Sequence, residues 1–511
     1  MEAAASMSGT ARHMSENGET CLPGRHRLPP MRLDSDLCYH SLNARDSRFD
    51  GQFYVGVTST GIYCRPICPT RVPRRDNCRF FANAASAEQQ GFRPCLRCRP
   101  ELAPGKAPMD NVGRVAAAAV ARIEAGALND AGFDALAAEM GLSGRQLRRS
   151  IEREYGVTPV ELAQTRRLLL AKQLLTETQI RITDVAFASG FSSLRRFNHL
   201  FRTRYRLSPT DLRRGKPVVA GGDTVTLRLA YRPPLDWEAL MGFLVGRGAA
   251  GVEAIDGERY LRAVRIGECA GWIAVAPLKN EAALRVDVAV SLLPVLTPLL
   301  ARLRRLFDLD ANPQAIHEHL SRDVRLRPSL SRRPGLRVPG AFDGFELALR
   351  AVLGQQISVK AATTVFGRFA RAYGETVQTP FPALLHTGPR AALIAEASLE
   401  ELAALGLMRA RAVTVSALAR AVCDGTVRLE PGVDPERVAA ALKELPGIGD
   451  WTAQYVAMRA LRDPDAFPAS DLGIYRSLGV SKPRDALAAA ESWRPWRAYA
   501  VLHLWLGYGG G

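Results

Sequence analysis

Hydrophobic and polar residues recur with two different periods along the chain, and the period divides it into regions of different structure. Between residues 110 and 214, and again from Phe342 onward, apolar positions follow the three- and four-residue spacing of an α-helix. Four stretches between these regions are strand-like: residues 224–229, 260–264, 272–275 and 284–288. Alternation of polar and apolar residues, as in half-buried strands, is clearest in the first and the last. The pattern therefore predicts two helical regions on either side of a sheet.

Segments rich in glycine, proline or polar residues separate these regions. Residues 104–108 and 215–223 have the composition of linkers, and residues 321–340 form an Arg- and Pro-rich connection. We expect a multidomain fold, mainly α with α+β parts. Its predicted parts are a disordered extension (1–30), a cysteine-containing domain (31–104), a helical domain (110–214), an α+β subdomain (224–328) and a second helical domain (329–511).

The first helical region contains an internal repeat, in which residues 136–143 resemble residues 185–192. In each copy a glycine closes a short helix, and the final serine (Ser143 or Ser192) is expected to cap the next helix. These second helices are rich in arginine: Arg145, Arg148, Arg149 and Arg153 in the first copy, and Arg195, Arg196, Arg202 and Arg204 in the second. This order is typical of a helix-turn-helix, and a helical bundle with solvated arginines is the alternative. The duplication favours DNA binding.

The net charge narrows the class of partner. The chain has 511 residues with 68 Lys+Arg against 51 Asp+Glu, which gives a formal charge of +17. Such a balance favours a polyanionic partner, DNA or RNA first, although a solvated basic surface is the alternative. No apolar run is long enough to span a bilayer, and the first 30 residues lack the apolar core of a secretory signal. We therefore expect a cytoplasmic protein with no membrane partner.

Four of the nine cysteines form two close pairs. Cys64 with Cys68, and Cys95 with Cys98, have the arrangement that a tetrahedral thiolate zinc site requires. The other five lack paired spacing, which argues against a secreted disulfide framework and for a reducing compartment. Zinc holds cysteine as the nucleophilic thiolate, so the site is either reactive or structural, and spacing alone favours a structural site. Arginines crowd both pairs, which favours contact with phosphate.

Residues 50–53, 60–66 and 91–100 resemble the N-terminal domain of the adaptive-response protein Ada. The resemblance covers about residues 45–101 and implies a Zn²⁺ site whose first cysteine, Cys64, takes a methyl group from a DNA methylphosphotriester. It implies that the other ligands are Cys68, Cys95 and Cys98, and that the residues on the DNA backbone are Thr60, Arg71 and Arg93.

The charge of a four-thiolate zinc site predicts a switch, and the Ada resemblance implies that one activity is absent. Four thiolates on one divalent zinc leave two net negative charges, and methylation of one sulfur removes one of them. Repulsion from phosphates then falls, so methylation is expected to tighten DNA binding. Ada proteins often end in a second methyltransferase domain with a Pro-Cys-His-Arg nucleophile, which this sequence lacks, so we expect no repair of O-methylguanine.

Residues 187–192 and 207–209 resemble the DNA-binding half of AraC-type regulators. The resemblance implies promoter binding and transcription activation in a nucleoid-associated bacterial protein, with RNA polymerase as an expected partner. The arginines expected on DNA are Arg145, Arg148, Arg195 and Arg196.

The second helical region contains a glycine-rich turn at residues 445–450. Gly447 and Gly449 allow backbone N–H groups to approach a phosphate at a helix N-terminus, as in a helix-hairpin-helix, and a plain αα-hairpin is the alternative. Asp471 follows about twenty residues after the turn, where a new helix is expected. Its carboxylate either caps that helix or faces the cationic sugar as a glycosidic bond breaks.

Four blocks over about residues 224–508 resemble AlkA-type 3-methyladenine DNA glycosylases of the helix-hairpin-helix superfamily: residues 233–237, 306–309, 350–358 and 493–497. The resemblance implies an α+β platform like that of the TATA-binding protein, packed on an all-α core. It makes Asp471 the catalytic carboxylate and Gln356 the residue that fills the gap left by a flipped base. The implied base pocket consists of Trp451, Tyr455, Phe243 and Trp505, whose faces suit cationic alkylated bases.

Trp451 stands where bifunctional relatives have the lysine that forms a Schiff base, so a monofunctional hydrolase is expected. The leading interpretation is a sensor, transcription factor and glycosylase fused in one chain, acting on alkylated double-stranded DNA. One alternative is a regulator whose glycosylase-like half only binds DNA. Another is a glycosylase whose helix-turn-helix pair is a non-specific tether.

Overall fold

The computed structural model describes residues 33–105, 114–213, 223–430 and 432–507. This part of the chain is mainly helical with two sheets, which confirms the predicted fold class. The predicted disordered extension, residues 1–30, lies outside it. Within the described ranges no helix is both long enough and apolar enough to cross a membrane.

A four-stranded sheet and two helices form the cysteine-containing region. Its elements are α1 (Ser35–Asn43), β1 (Tyr54–Val57), β2 (Ile62–Cys64), β3 (Cys78–Phe81), α2 (Ala84–Gln89) and β4 (Arg93–Pro94). The strand order is β3-β1-β2-β4, and only the β2–β4 pair is parallel. Tyr63 pairs with Pro94, so the next residues, Cys64 and Cys95, emerge side by side at one end of the sheet.

The repeat region, residues 114–213, is built from helices joined by turns. Its helices are α3 (Arg114–Glu124), α4 (Ala127–Asp130), α5 (Phe133–Glu139), α6 (Gly144–Tyr155), α7 (Pro159–Glu177), α8 (Ile182–Ala188), α9 (Leu194–Tyr205) and α10 (Pro209–Arg213). Ser143 caps α6 in a capping box with Gln146, as expected. The cap of α9 is Ser193, which accepts from the Arg196 N–H. The predicted cap Ser192 is therefore wrong by one residue, because the second turn is longer.

The α+β region contains a five-stranded antiparallel sheet. Its elements are β5 (Thr224–Ala230), α11 (Trp237–Gly246), β6 (Glu253–Asp256), β7 (Arg259–Ile266), β8 (Cys269–Pro277), β9 (Ala283–Ala289) and α12 (Leu296–Leu306). The strand order is β5-β9-β8-β7-β6. The four predicted strands are confirmed. Strand β6 was not predicted because it is four residues long and has only two apolar residues.

The C-terminal region is helical. Its helices are α13 (Pro313–Leu320), α14 (Arg327–Arg332), α15 (Gly344–Leu353), α16 (Val359–Tyr373), α17 (Ala391–Glu396), α18 (Leu399–Ala404), α19 (Arg409–Cys423), α20 (Pro435–Lys443), α21 (Asp450–Arg459), α22 (Leu472–Leu478), α23 (Pro483–Ala490) and α24 (Arg497–Gly507). Helix α14 lies inside the predicted connection 321–340. The glycine-rich turn joins α20 to α21, and α22 begins directly after Asp471.

Buried apolar residues pack the second repeat onto the five-stranded sheet. Leu174 on α7 and Phe197 on α9 belong to one buried cluster with Val225, Val288 and Leu300 of the α+β region. The first repeat has a separate cluster, formed mainly by α3, α5 and α6. The two copies of the repeat are therefore held differently: one by the sheet, the other mostly by its own helices.

Candidate active site and metal centre

Asp471 is held by three N–H donors. It is the cap residue of α22, where its Oδ1 accepts from the Ile474 N–H at 3.0 Å. The Trp505 indole Nε1 also donates to Oδ1, at 2.9 Å, and the Trp451 Nε1 donates to Oδ2, at 2.8 Å. These donors come from α22, α24 and α21. The carboxylate is half-buried and fixed in one orientation where these helices meet.

Aromatic rings extend from Asp471 and form one wall of the site. Trp451 and Tyr455 lie one turn apart on α21 and stack at 5.1 Å between ring centroids, with planes 11° apart. Tyr455 is 6.4 Å from Trp505, and Trp505 is 6.3 Å from Phe243 of α11, whose ring is nearly parallel at 13°. The four predicted pocket residues therefore lie together around the predicted carboxylate, although Phe243 is about two hundred residues from the others in sequence.

Two arginines, neither of them predicted, lie on the same rings. The Arg459 guanidinium is 4.8 Å from the Phe243 centroid and 5.4 Å from that of Tyr455, and its Nη1 donates to the Tyr455 hydroxyl at 2.6 Å. The Arg247 guanidinium is 3.8 Å from the Phe243 centroid. Burial opposes ionisation of Tyr455, but the charges of Arg459 and Arg247 outweigh it and the pKa lies below its usual value. Burial lowers the pKa of Arg247, although Tyr455 and Asp471 oppose the shift.

The hairpin turn leaves a helix N-terminus open. Gly449 precedes α21, and no side chain in the described ranges caps the first turn of that helix. Gly447 has φ of +79°, a conformation that favours glycine. Gln355 Nε2 ties the turn to the core by donating to the Gly447 carbonyl and to Thr452 Oγ1, both at 3.0 Å. Its neighbour Gln356 is exposed, with φ of +59°.

The four paired cysteines converge on one point. Their Sγ atoms all lie within 4.8 Å of one another, and all four residues are buried. A four-sulfur set of this kind fits a tetrahedral metal such as zinc. The Arg65 N–H donates to Cys98 Sγ and the Arg97 N–H to Cys95 Sγ, both at 3.3 Å, while Thr70 Oγ1 lies 3.1 Å from Cys68 Sγ. Such hydrogen bonds stabilise thiolates.

Buried cations surround the cysteine cluster. Arg65 forms a two-bond pair with Asp50, and its Nη1 donates to the Cys98 carbonyl at 3.1 Å. Lys172 of α7 pairs with Glu101, and both side chains are 1% exposed. Arg232, which follows β5, donates to the Asp50 carbonyl at 3.2 Å. The cluster is therefore linked to both the repeat region and the α+β region.

The predicted DNA-contacting residues lie mostly at the surface. Thr60 and Arg71 are exposed on the cysteine-containing region, and Arg93, the first residue of β4, is half-buried. Exposed arginines also line the second helix of each repeat: Arg145 and Arg148 on α6, and Arg195 and Arg196 on α9.

Comparisons with known proteins match this arrangement part by part. The family models that match are the metal binding domain of Ada over residues 37–101, a helix-turn-helix domain over 136–215, the AlkA N-terminal domain over 226–343 and the HhH-GPD superfamily of base excision DNA repair proteins over 349–495. The probable bifunctional transcriptional activator/DNA repair enzyme AlkA of Mycobacterium tuberculosis is 40% identical over 484 residues, which cover 93% of this chain and 97% of the relative. The chain belongs to this bifunctional family.

Two shorter relatives match the two halves of this bifunctional protein. DNA-3-methyladenine glycosylase 2 of Escherichia coli is 36% identical over 277 residues, which cover 54% of this chain and 95% of the relative. Regulatory protein ada of Salmonella typhimurium is 33% identical over 206 residues, which cover 40% of this chain and 54% of the relative. The family member described here is thus a zinc-binding helix-turn-helix regulator fused to a DNA glycosylase, and its four-cysteine cluster binds Zn²⁺.

Sequence patterns missed the charged groups that surround both sites. Arg247 and Arg459 stand four residues after Phe243 and Tyr455, a spacing that places side chains on one helical face. That spacing was a usable signal for Arg459, which is on α21. Arg247 lies just beyond the end of α11, and Lys172 reaches its partner from another region of the chain, so neither contact could be found in a local pattern.

Proposed function

We propose that the C-terminal half is a monofunctional glycosylase that hydrolyses the N-glycosidic bond of alkylated bases such as 3-methyladenine, with Asp471 as its catalytic carboxylate. The observation that carries this proposal is the position of Asp471 between two indole N–H donors at the edge of an aromatic pocket. A carboxylate used only to cap α22 needs no such donors or pocket.

The geometry supports a dissociative reaction. The bond between C1′ and the base nitrogen breaks, and its electron pair leaves with the base. A cationic alkylated base then departs as a neutral molecule. Asp471 stabilises the positive charge that develops on the sugar, and water adds at C1′ and loses a proton. No amine replaces water as the nucleophile at the hairpin, because Trp451 stands at that position.

Asp471→Asn tests this assignment. Asparagine still caps helices well, so the fold and DNA binding should persist, while the rate of 3-methyladenine release should fall at least about 100-fold. Asp434→Asn is the matched control, because Asp434 caps α20 in the same way away from the pocket. Full activity of Asp471→Asn, measured as free base released from methylated DNA, would refute the role.

For the zinc centre we propose that Cys64 accepts the methyl group of a DNA methylphosphotriester. Cys68, Cys95 and Cys98 each have a hydroxyl or backbone N–H within hydrogen-bond distance of sulfur, whereas Cys64 Sγ has none among the described residues. Hydrogen bonds withdraw charge from a thiolate, so the Cys64 sulfur remains the most nucleophilic. Bound Zn²⁺ would keep all four sulfurs ionised. In the transfer, the methyl carbon forms a bond to sulfur while its bond to oxygen breaks, leaving a phosphodiester anion.

Mass spectrometry of the full chain after exposure to methylphosphotriester DNA tests this proposal. We expect one added methyl group on the peptide that contains Cys64, and none on that peptide in Cys64→Ser. Cys423 is exposed and remote from the cluster, so Cys423→Ser should be methylated at Cys64 as the wild type is. Methyl groups spread over several cysteines, or found on Cys98, would contradict the assignment.

We propose further that methylated protein activates transcription with RNA polymerase from promoter sites bound through α6 and α9. Loss of one negative charge from the cluster reduces repulsion of DNA phosphates. Footprinting on the protein's own promoter before and after methylation distinguishes this switch from a non-specific tether. Equal affinity in the two states would exclude the switch and leave the glycosylase proposal untouched.

A further inference from the structure

The base pocket contains a protein cation with free donors. Arg247 lies just beyond α11 with its guanidinium 3.8 Å from the Phe243 ring centroid. Its Nη1 makes a long hydrogen bond of 3.5 Å to the Phe243 carbonyl, and its side chain also interacts with the Tyr455 hydroxyl. No carboxylate in the described part of the chain forms an ion pair with it. A guanidinium has five N–H donors, so most of its hydrogen-bonding capacity is available to a ligand.

The second arginine of the pocket differs from Arg247 in this respect. Arg459 is buried, and it donates to the carbonyls of Pro339 at 2.7 Å and Gly340 at 3.0 Å, as well as to the Tyr455 hydroxyl. These contacts fix Arg459 as a support for the ring of Tyr455. Arg247 shares the Tyr455 hydroxyl, but its backbone contact among the described residues is only the long one to Phe243, so it keeps more donors for a flipped base than Arg459 does.

We propose that Arg247 is a specificity-determining residue that selects the flipped base by charge. This inference rests on the glycosylase function proposed for the same pocket. The guanidinium donates hydrogen bonds to a carbonyl oxygen of an uncharged damaged base, and its charge disfavours a base that is already cationic. Arg247 thereby extends the enzyme toward neutral lesions at some cost in activity on cationic lesions.

The two classes of base differ in what they need when the glycosidic bond breaks. A neutral purine leaves as an anion: the electron pair of the C1′–N9 bond enters the ring, and negative charge spreads to the carbonyl oxygen. A guanidinium at that oxygen stabilises this charge in the transition state. Water adds at C1′ and loses a proton, and the departed anion takes a proton from water. A cationic base develops no negative charge, so it gains nothing from Arg247.

Arg247 also changes the aromatic part of recognition. The Phe243 ring already contacts two guanidinium groups, Arg247 at 3.8 Å and Arg459 at 4.8 Å. The ring already makes cation–π contacts with protein side chains, so it has little further attraction for a cationic base. Such a base close to Arg247 is also repelled by the like charge of the guanidinium. The indole rings of Trp451 and Trp505 remain as the aromatic partners of a cationic base.

Arg247→Met tests the proposal because it keeps an unbranched side chain on Phe243 and removes the charge and the donors. Rates are measured on two substrates: a duplex with one hypoxanthine, which is neutral and has a carbonyl oxygen, and methylated DNA that releases 3-methyladenine, which is cationic and has none. We expect kcat/KM on hypoxanthine to fall at least about tenfold, and that on 3-methyladenine to stay unchanged or rise severalfold.

Two further variants complete the experiment. Arg247→Lys keeps the charge but loses the planar guanidinium, so it should match the wild type on 3-methyladenine and lose part of the activity on hypoxanthine. If Arg247→Met does not fold, this variant tests the proposal in its place. Arg259→Ala is the matched control, because Arg259 lies over the Phe381 ring at 5.6 Å, outside the pocket, and its loss should change neither rate.

Each outcome decides a different question. Equal losses on both substrates would show that Arg247 only supports the pocket, and equal rates to the wild type would show that it does not contact the base; either result overturns the inference. Wild-type protein that releases 3-methyladenine but no hypoxanthine would also overturn it. Wild-type protein that releases neither base would instead refute the glycosylase proposal itself.

Discussion

At the scale of single residues, Asp471 is both the cap of α22 and the proposed catalytic carboxylate. Its Oδ1 caps α22 and also accepts from Trp505, while its Oδ2 accepts from Trp451. Hydrogen bonds to a carboxylate fix where its charge points. We therefore predict that the two indoles act as positioning residues as well as pocket walls.

Trp505→Phe separates these two uses of the ring, because phenylalanine keeps an aromatic face and removes the N–H. We expect base release in a single turnover to slow about tenfold and stability to fall by about 1–2 kcal/mol. Trp493→Phe is the matched control: the Trp493 Nε1 donates to Asp323 Oδ2 at 2.7 Å in a part-buried contact outside the site. That control should lower stability by about 1–2 kcal/mol and leave the rate unchanged. Equal effects of both variants on the rate would contradict the positioning role.

At the scale of elements, the turn between α20 and α21 depends on close packing at Gly447. A Cβ at this position would come well inside van der Waals contact with Thr414 Oγ1 on α19. The turn is thus pressed against the core, which fixes the N-terminus of α21 relative to Trp451 and Asp471. A phosphate bound at this turn would therefore be held in a fixed position relative to the carboxylate.

Gly447→Ala should therefore weaken both stability and DNA binding. Positive φ alone costs about 1 kcal/mol for alanine, and the contact with Thr414 adds to it. Gly425→Ala isolates the backbone cost, because Gly425 has the same φ of +79° and, among the described residues, no atom would lie closer than 3.9 Å to an added Cβ. Denaturant unfolding and duplex binding should show the larger loss in Gly447→Ala. Indistinguishable variants would mean that the packed turn has no special role.

Regular elements could be predicted from the sequence, and contacts between distant elements could not. The strands β5 and β9 followed from alternation, because each has one face in the core, whereas β7 and β8 are apolar runs buried along most of their length. The shift from Ser192 to Ser193 shows the limit at a turn, where both residues are chemically suitable caps.

The same limit applies to the site. The resemblance could place Trp451, Tyr455 and Asp471 because they stand within one local motif. The interest of Arg247 follows only from its contact with the Phe243 ring, which the sequence did not predict. The roles assigned to these residues remain predictions until the variants above are measured.

At the scale of the whole molecule, buried polar contacts join the zinc-binding region to its neighbours. Glu88 on α2 accepts from the Tyr63 hydroxyl in its own region and from Thr165 Oγ1 on α7, both at 3.0 Å. Burial raises the pKa of Glu88 to about 7, although the two hydroxyls and Arg204 oppose the shift. The regions therefore meet across a carboxyl group that holds its proton to a higher pH than an ordinary glutamate.

This contact predicts a pH-dependent stability. The pKa of Glu88 in the folded protein, about 7, lies above the ordinary 4.5. Its contribution to the free energy of unfolding is therefore fully present below pH 4.5 and is lost as the pH rises through 7. Glu88→Gln should abolish this pH-dependent loss of stability, which is on the order of 3 kcal/mol. The variant should therefore unfold at a higher temperature than the wild type at pH 8 but not at pH 5. Glu268→Gln is the control, since its side chain is 93% exposed. Parallel pH curves for wild type and Glu88→Gln, measured by calorimetry, would contradict the account.

The central claim is that the Asp471 carboxylate faces a cationic sugar, and binding of abasic-site analogues tests it most directly. One duplex contains a pyrrolidine, whose protonated amine imitates the sugar cation, and the other contains a neutral tetrahydrofuran. The account predicts that wild-type protein binds the pyrrolidine duplex at least about tenfold more tightly, and that Asp471→Asn binds both equally. A preference for the pyrrolidine that persists in Asp471→Asn would contradict it.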